Sequence, residues 1–526
     1  MLASIRERKR PWDLVIIGGG ATGAGIAVDA ATRGYEALLL EREDFGKGTS
    51  SRSTKLAHGG VRYLEQGNIS LVMEALRERG ILRRNAPHLV HNLPFVVPNY
   101  SWWETPFYGI GLRVYDVLAG RYGFGTSRIL SREETLERLP NIQQEGLRGG
   151  VIYHDGQFDD TRLLTHLLAT AADHGGTVLN YAGVTGLTRG DDGFVDGVIA
   201  VDGESGEELR IAAQVVVNAA GIFVDEVRQM ADGSAEKMIA PSQGIHLVFD
   251  GSFLRSDTAI MVPHTSDGRV LFAIPWHGHT LVGTTDTPIE EPSYEPLPFE
   301  EEIDFVLDTA GRYLSRKPDR EDVLSVYVGI RPLVKAAGSD RRKTSALSRD
   351  HTIQIDSSGL LTIVGGKWTT YRHMAEDCVD YAITLGRLRE ARCVTETVPI
   401  HGFYEQAEEL GSLAVYGTDA AQVQKLAEET PALAARLHAE LPYIAAEVVW
   451  AAREEMARTV EDVLSRRTRA LLLNARAALE AAPHTAELLA GELGKSPAWA
   501  EDQVNAFRKL VRQYTLEETI RSAASG

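Results

Sequence analysis

"DLVIIGGGATGAGIAVDAATRGYEALLLERED", residues 13–44, is the stretch on which the fold turns. Leu14 to Ile17 form an unbroken aliphatic run, suited to a strand buried on both faces. Gly18-x-Gly20-x-x-Gly23, with Gly19 inside it, then turns the chain into a helix whose first N–H groups can face an anion. The first glycine permits the tight turn, the second lets a pyrophosphate approach the backbone, and the third lets helix pack on strand. Ala24, Ala27, Ala30 and Ala31 keep that helix thin, and Ala37 to Leu40 supply a second strand. Glu41, at the end of that strand, is placed to accept hydrogen bonds from ribose hydroxyls. Strand, glycine turn, helix, strand and acid in this order predict a Rossmann-like dinucleotide site. Glu41 does not separate FAD from NAD, because both carry an adenosine ribose.

The chain has 526 residues and a formal net charge of −18. That length predicts more than one domain. The charge excludes non-specific nucleic-acid binding, since a phosphate backbone is repelled by such a surface. An anionic small substrate therefore needs a local basic pocket. Cys378 and Cys393 are the only cysteines and no C-x-x-C is present, which argues against a disulfide scaffold, structural zinc or a Cys-ligated cluster and suits a reducing compartment. No apolar run reaches transmembrane length, and "MLASIRERKRPWD" lacks the apolar core of a signal peptide. A cytoplasmic protein, or one lying on a membrane without crossing it, is expected.

Further along, "DDTRLLTHLLATAADHGGTVL" predicts a helix capped by an acid, stopped by glycines and followed by a strand. "GVTGLTRGDDGFVDGVIAVDGESGEELRIAAQVVVNAAG" predicts a β-meander whose last run, Val215 to Ala219, ends at Ala220-Gly221. Residues 241–290 and 322–334 add strand-like runs, and "LLTIVGGKWTTYRHMAEDCVDYA" returns to strand, Gly-Gly and helix. Two such units over 300 residues apart predict one discontinuous cofactor domain with a second domain interleaved. Beyond about residue 400 the chain is Ala/Glu/Leu-rich, and Met456, Val460, Val463, Leu464 and Leu471 predict one helical stripe in a helical C-terminal domain.

One phosphate loop plus a second Gly-Gly return suits FAD better than NAD, because FAD is long and distant segments must close over it. The polar loop "TSSRSTKLAHGG" offers the hydroxyls of Ser50, Ser51 and Ser53, and Gly59-Gly60 permits close approach. Arg62, Arg331 in "YVGIRPL" and Lys367 in "VGGKWTTYR" each stand beside glycines and predict an anion pocket, since guanidinium forks match phosphate or carboxylate. His58 and His246 are candidates for a general base, an imidazole pKa of about 6.5 suiting proton removal at neutral pH. His246, in an apolar run, equally suits a satisfied core histidine. No metal-ligand spacing, G-x-S-x-G or Walker loop is present.

"IGGGATGAGIAVDAATRG", "SSRSTKLAHGGVRYLE", "NAAG", "IPWHGHTLVGTTDT", "GIRPL" and "VGGKWTTYRHMAE" together resemble the FAD-dependent glycerol-3-phosphate dehydrogenase family, and "TVEDVLSRRTRALLLNARAA" resembles its C-terminal helical domain. The resemblance implies oxidation of sn-glycerol 3-phosphate to dihydroxyacetone phosphate, with electrons passing through FAD to a membrane quinone. A cysteine-rich C-terminal segment, found in the anaerobic branch, is missing, so the aerobic quinone-linked type is the nearer likeness. Carried over, Arg62, Tyr63, His246, Arg331 and Lys367 become substrate-binding residues, and His58, His246 and Arg331 catalytic ones. The cofactor set becomes Gly18, Gly19, Gly20, Thr22, Gly23 and Glu41; Ser50, Ser51, Ser53, Lys55, Leu56, His58, Gly59 and Gly60; Val184, Ala220 and Gly221; and Gly366, Lys367, Trp368 and Thr369.

The expected fold is α/β, or α+β taken whole. A discontinuous Rossmann-like FAD-binding domain (about 12–85, 150–235 and 325–385) interleaves with an antiparallel-sheet substrate domain (about 86–149 and 236–324). Together they form an oxidoreductase region, 1–395, followed by a helical domain, 396–526. FAD is expected to be non-covalent, because no Cys or His in the matched motifs has an evident role as an attachment point. The other expected partners are glycerol 3-phosphate, a membrane quinone and an anionic membrane surface, the last reached by "IRERKR" (Arg6, Arg8, Lys9, Arg10) or by Trp102, Trp103, Phe107 and Tyr108. A homodimer is left open. The implied location is the inner face of the cytoplasmic membrane. Three rival functions share the motifs: an oxidase reducing oxygen to hydrogen peroxide, an amino-acid or amine oxidase of the same fold, and a non-catalytic flavin-binding sensor.

Overall fold

In a computed structural model, residues 2–61, 64, 67–263, 265, 269–335 and 351–517 are described. The opening unit forms as its sequence dictates: strand Trp12–Ile17, helix Ala21–Thr32, strand Ala37–Leu40. Leu14, Val15 and Ile16 are wholly buried, each contributing about 1.5–3 kcal/mol of apolar burial. Trp12–Ile17 pairs in parallel with Ala37–Leu40 on one side and Glu208–Asn218 on the other. Leu361–Gly365 joins in parallel beyond Glu208–Asn218, and Thr177–Leu179 beyond Ala37–Leu40. Four carboxyl ends of this sheet therefore gather at one edge, at Gly18, Glu41, Ala219 and Gly366. Ligands of open α/β sheets bind at such an edge. The meander Ala182–Arg189, Val195–Asp202 and Glu208–Asn218 extends the same sheet in antiparallel fashion.

Two glycines of the loop are sterically required. Gly18 has φ +112°, and a Cβ there would lie 2.6 Å from the Ala219 carbonyl oxygen. A Cβ on Gly23 would lie 1.9 Å from the Gly18 oxygen, so the helix approaches the strand only because Gly23 has no side chain. Asp159 caps helix Asp160–Asp173 by accepting from the N–H groups of Thr161 and Arg162.

A second, mainly antiparallel sheet contains Val90–Asn99, Gly149–Phe158, Ile239–Asp250, Leu271–Trp276, His279–Gly283 and Val323–Val334. Its register decides the site: His246 lies opposite Tyr327 and Ser242 opposite Arg331. Tyr327 and Arg331 are four residues apart on one strand, so they share a face.

The C-terminal region is helical, with Ala420–Glu429, Ala445–Arg453, Ala475–Leu493 and Pro497–Val511. The expected single stripe through Met456 to Leu471 is corrected, because the backbone breaks three times. Met456 has φ +57°, Asp462–Arg467 is a wide π-turn, and Ala470–Leu473 is a separate short helix. Val460, Val463, Leu464 and Leu471 are buried all the same, sharing one core with Phe95, Tyr153 and Trp276 of the second sheet.

Candidate active site

Two connected cavities lie between the sheets. The first, about 210 Å³, is a groove along the carboxyl edge of the parallel strands, lined by Gly18, Gly20, Thr22, Glu41, Ser50, Val184, Ala220 and Gly221. The second, about 820 Å³, is lined by Ser53, Leu56, His58, Gly60, His246, Arg331 and Thr369. Thr49, Pro332 and Gly365 to Trp368 wall both, which makes them one continuous space. Gly20 at the N-cap of helix Ala21–Thr32 has no side chain to cap it, and of the first N–H groups Ala21 N–H donates to Ser50 Oγ at 2.9 Å, so the helix start beside the groove suits a pyrophosphate. The Glu41 carboxylate accepts from Gly19 N–H at 2.6 Å and Glu43 N–H at 2.9 Å. Burial pushes its pKa up despite these two bonds. The groove's acid, glycine turn and hydroxyls fit an adenosine diphosphate moiety, and the larger cavity beyond the shared wall has room for a flavin ring and a small substrate.

Of the expected cofactor residues, several act from behind the wall. Gly19, Gly23 and Gly59 shape the backbone, and Gly59 N–H donates to the Tyr115 hydroxyl at 2.9 Å. Ser51 is buried, its carbonyl facing away from both cavities. The Lys55 side chain is also corrected: fully buried, it donates to Asp160 at 2.6 Å and to the Ser51 oxygen at 2.8 Å. Arg62 and Tyr63 lie outside the described residues.

His246 is buried, stacked on Tyr327 with ring centroids 4.7 Å apart, and its Nε2 lies 2.9 Å from Thr54 Oγ1. Its Nδ1 has no hydrogen-bond partner among the described residues. Burial first, then the nearby charges of Lys55 and Arg331, hold its pKa well below 6.5, so the ring is neutral at neutral pH. In the tautomer with Nε2–H on Thr54, Nδ1 carries the free lone pair. Arg331 is oriented by Asp286 at 3.3 Å, the Thr285 carbonyl at 3.0 Å and Thr284 Oγ1 at 3.3 Å. The His58 backbone N–H donates to Thr369 Oγ1 at 3.3 Å, tying the polar loop to the returning segment.

The sequence reading missed Thr54, Arg269, Asp155 and Asp286, all of which line the larger cavity. Thr54 stands between two chosen residues, and its hydroxyl is of the same kind as those of its serine neighbours. Asp286 stands inside "IPWHGHTLVGTTDT" but was given no role there, and nothing near Arg269 or Asp155 in the sequence marks them.

A parallel-sheet edge of this kind, opening into a cavity with a neutral histidine and an oriented arginine, defines a flavin-dependent oxidoreductase. Residues 13–372 match the FAD dependent oxidoreductase family, and residues 361–502 match the C-terminal domain of alpha-glycerophosphate oxidase. The mitochondrial glycerol-3-phosphate dehydrogenase of Homo sapiens is 40% identical over 95% of this chain and 73% of its own length. That of Arabidopsis thaliana is 42% identical over 92% of this chain and 83% of its own. The glycerol-3-phosphate dehydrogenase of Bacillus halodurans, solved in complex with FAD, superposes with a TM-score of 0.77 at 30% identity, covering 96% of this chain and 95% of that one. The chain belongs to the FAD-dependent glycerol-3-phosphate dehydrogenase family.

Proposed function

We propose that this chain oxidises sn-glycerol 3-phosphate to dihydroxyacetone phosphate with non-covalent FAD and passes the electrons to a membrane quinone. The observation that carries this is the convergence of His246, Arg331, Lys367 and His58 on the one cavity that continues into the cofactor groove. Bound FAD supplies the hydride acceptor. Arg331, its fork fixed by Asp286 and Thr285, grips the phosphate, and Lys367 adds a second cation at the shared wall. Phosphate binding away from the reacting carbon then holds the alcohol in place. His246, neutral, buried and lining the cavity, is the residue placed to accept the hydroxyl proton. Catalytic roles for His58 and for Arg62 and Tyr63 remain part of the proposal, as do the domain divisions given above.

Peripheral attachment to the inner face of the cytoplasmic membrane is supported by helix Glu104–Ala119. Its inner face, with Tyr108, Leu112, Tyr115 and Ala119, is buried. The opposite face, with Trp103, Phe107, Ile110, Val114 and Val117, is exposed although apolar, Ile110 at 67% and Val117 at 80%. Exposed Arg113 lies on the same face, and an apolar stripe with a basic residue beside it suits the interface of an anionic membrane. No described helix is long and apolar enough to cross a membrane. Tyr108 is thus a core residue and not a membrane contact. Arg6 pairs with Glu207, and Arg8 and Arg10 pair with Glu36, so the apolar stripe carries the attachment more than "IRERKR" does.

The test is an anaerobic visible spectrum of the purified holoprotein. Glycerol 3-phosphate should bleach the flavin, and a quinone should restore it. No bleaching by this substrate, or bleaching by an amino acid instead, refutes the assignment. Rapid hydrogen peroxide formation in air replaces the quinone by oxygen.

A further inference from the structure

The loop of residues 41–54 lines both cavities, through Glu41, Gly48, Thr49 and Ser50 in the groove and Ser53 and Thr54 in the larger space. Asp44 and Ser51 stand in the same loop but face away, lining neither. Both are gripped from behind by one five-residue segment of the C-terminal region, Ser465 to Arg469.

Asp44, wholly buried, receives Arg466 Nε at 2.5 Å and both terminal nitrogens of Arg467, at 2.7 and 2.8 Å. A few residues on, Gly46 N–H donates to the Gly19 oxygen at 3.1 Å, which joins this part of the loop to the glycine turn. Ser51 receives Arg469 Nη2 on its carbonyl at 2.6 Å. The same guanidinium bonds Asp160 at 3.1 Å, the Ser465 carbonyl at 3.0 Å and the Thr161 hydroxyl. Asp160 in turn receives Lys55, and both the N–H and the hydroxyl of Ser53. On the cavity side Ser53 is thus two bonds from Arg469, through Asp160, and its neighbours Ser51 and Asp44 are held directly by arginines that come from more than 400 residues away in the sequence.

Buried ion pairs contribute little net stability compared with well-packed apolar side chains of similar size. Three arginines behind one loop are better explained by the shape they impose. We propose that Arg466, Arg467 and Arg469 form a clamp by which the C-terminal region holds the cofactor loop in its FAD-binding shape, with Arg469 the principal positioning residue. The proposal concerns FAD binding alone and stands whatever substrate the cavity takes.

The test uses the full chain with Arg469→Met, Arg467→Met and Arg469→Lys. Arg453→Ala, whose exposed side chain pairs only with Glu492 on the helical surface, is the control. Each protein is stripped of flavin and titrated with FAD by fluorescence, and its melting temperature is read with and without FAD. Both methionine variants should raise the FAD Kd on the order of tenfold to a hundredfold. Their FAD-induced rise in melting temperature should shrink, and the visible circular dichroism of the bound flavin should change. Arg469→Lys keeps the charge on Asp160 but cannot bond Ser51, Ser465 and Thr161 together, and should raise Kd several-fold; it decides the matter if Arg469→Met does not fold. Arg453→Ala should match the parent. Unchanged FAD Kd and flavin dichroism in Arg469→Lys, with apo and holo melting falling together, would overturn the clamp and leave these arginines as core ion pairs.

Discussion

Arg331→Ala should lower kcat/KM for glycerol 3-phosphate by roughly tenfold to over a hundredfold, with FAD content unchanged. The guanidinium is 25% exposed, so its contacts are only partly screened. A charge-assisted bond in such a setting is worth about 1.5–3 kcal/mol, and each ~1.36 kcal/mol is a factor of ten. FAD should stay bound because the groove that fits its adenosine diphosphate moiety is not lined by Arg331. Because phosphate binding also holds the alcohol in place, the loss should appear in kcat as well as in KM. The substitution also strands Asp286, which is 11% exposed. The double variant Arg331→Ala/Asp286→Asn removes that charge and should recover folding stability without recovering kcat/KM. Steady-state assays with a soluble dye acceptor under nitrogen read this directly, with glycerol as a second substrate. Glycerol has no phosphate, so its slow turnover should be nearly unaffected. An equal fractional loss on both substrates, or no loss on either, would refute the phosphate assignment and return Arg331 to a structural ion pair with Asp286.

Acid precipitation should release the flavin into the supernatant; colour retained in the pellet would mean a covalent link, with His58 the first suspect. His246→Gln should lower kcat by about 10²- to 10⁴-fold, with substrate KM little changed; because the His246 pKa is depressed, the parent's activity should persist well below pH 6.5, and an acid limb near 6.5 or above would assign the base elsewhere. His401 lies between Asp419 at 2.9 Å and Asp173 at 2.7 Å. Its hydrogen bond to Asp419 is the main cause that raises its pKa to about 9. A raised folded-state pKa gives stability that is complete below about 6.5 and lost as pH rises through about 9; melting temperature should fall across that window in the parent and stay flatter in His401→Gln. Ile110→Ser/Val117→Ser should reduce co-sedimentation with liposomes while leaving dye-linked activity intact, and equal sedimentation would remove this helix from the membrane contact.

The opening strand–turn–helix was legible because its pattern is local and Gly23 is demanded by the Gly18 oxygen of the adjoining turn, although Gly18 itself is demanded by the distant Ala219 carbonyl. His246 and Arg331 were legible as chemistry, but their meeting depends on the register between Ile239–Asp250 and Val323–Val334. Lys55 was misplaced for a related reason. A lysine in a serine-rich loop suggests a phosphate contact, and nothing nearby announces Asp160, more than a hundred residues on. The single C-terminal stripe failed where periodicity met a competing demand. Aiming Arg466, Arg467 and Arg469 at partners far away in the sequence accompanies a wide turn at Asp462–Arg467, which a spacing of apolar residues does not reveal. Arg269 enters the site only through folding and leaves no local mark, while Asp286 sits in a motif, "IPWHGHTLVGTTDT", that does not show which arginine it will orient.

The strand order of the parallel sheet also sets a timetable. Trp12–Ile17 occupies its middle, yet its neighbour Glu208–Asn218, and Leu361–Gly365 beyond that, are synthesised far later. The groove's last wall, Gly365 to Trp368, leaves the ribosome well after its first, and the arginine segment roughly 450 residues after the glycine turn. At about 5–20 residues per second that is a delay of roughly 20–90 s. Through that interval the aliphatic strand at residues 12–17 has only one of its two sheet neighbours for much of the time, exposed to aggregation and to chaperones. Flavin loading is therefore a late event in the life of each molecule, and chains truncated before residue 466 should accumulate without yellow colour.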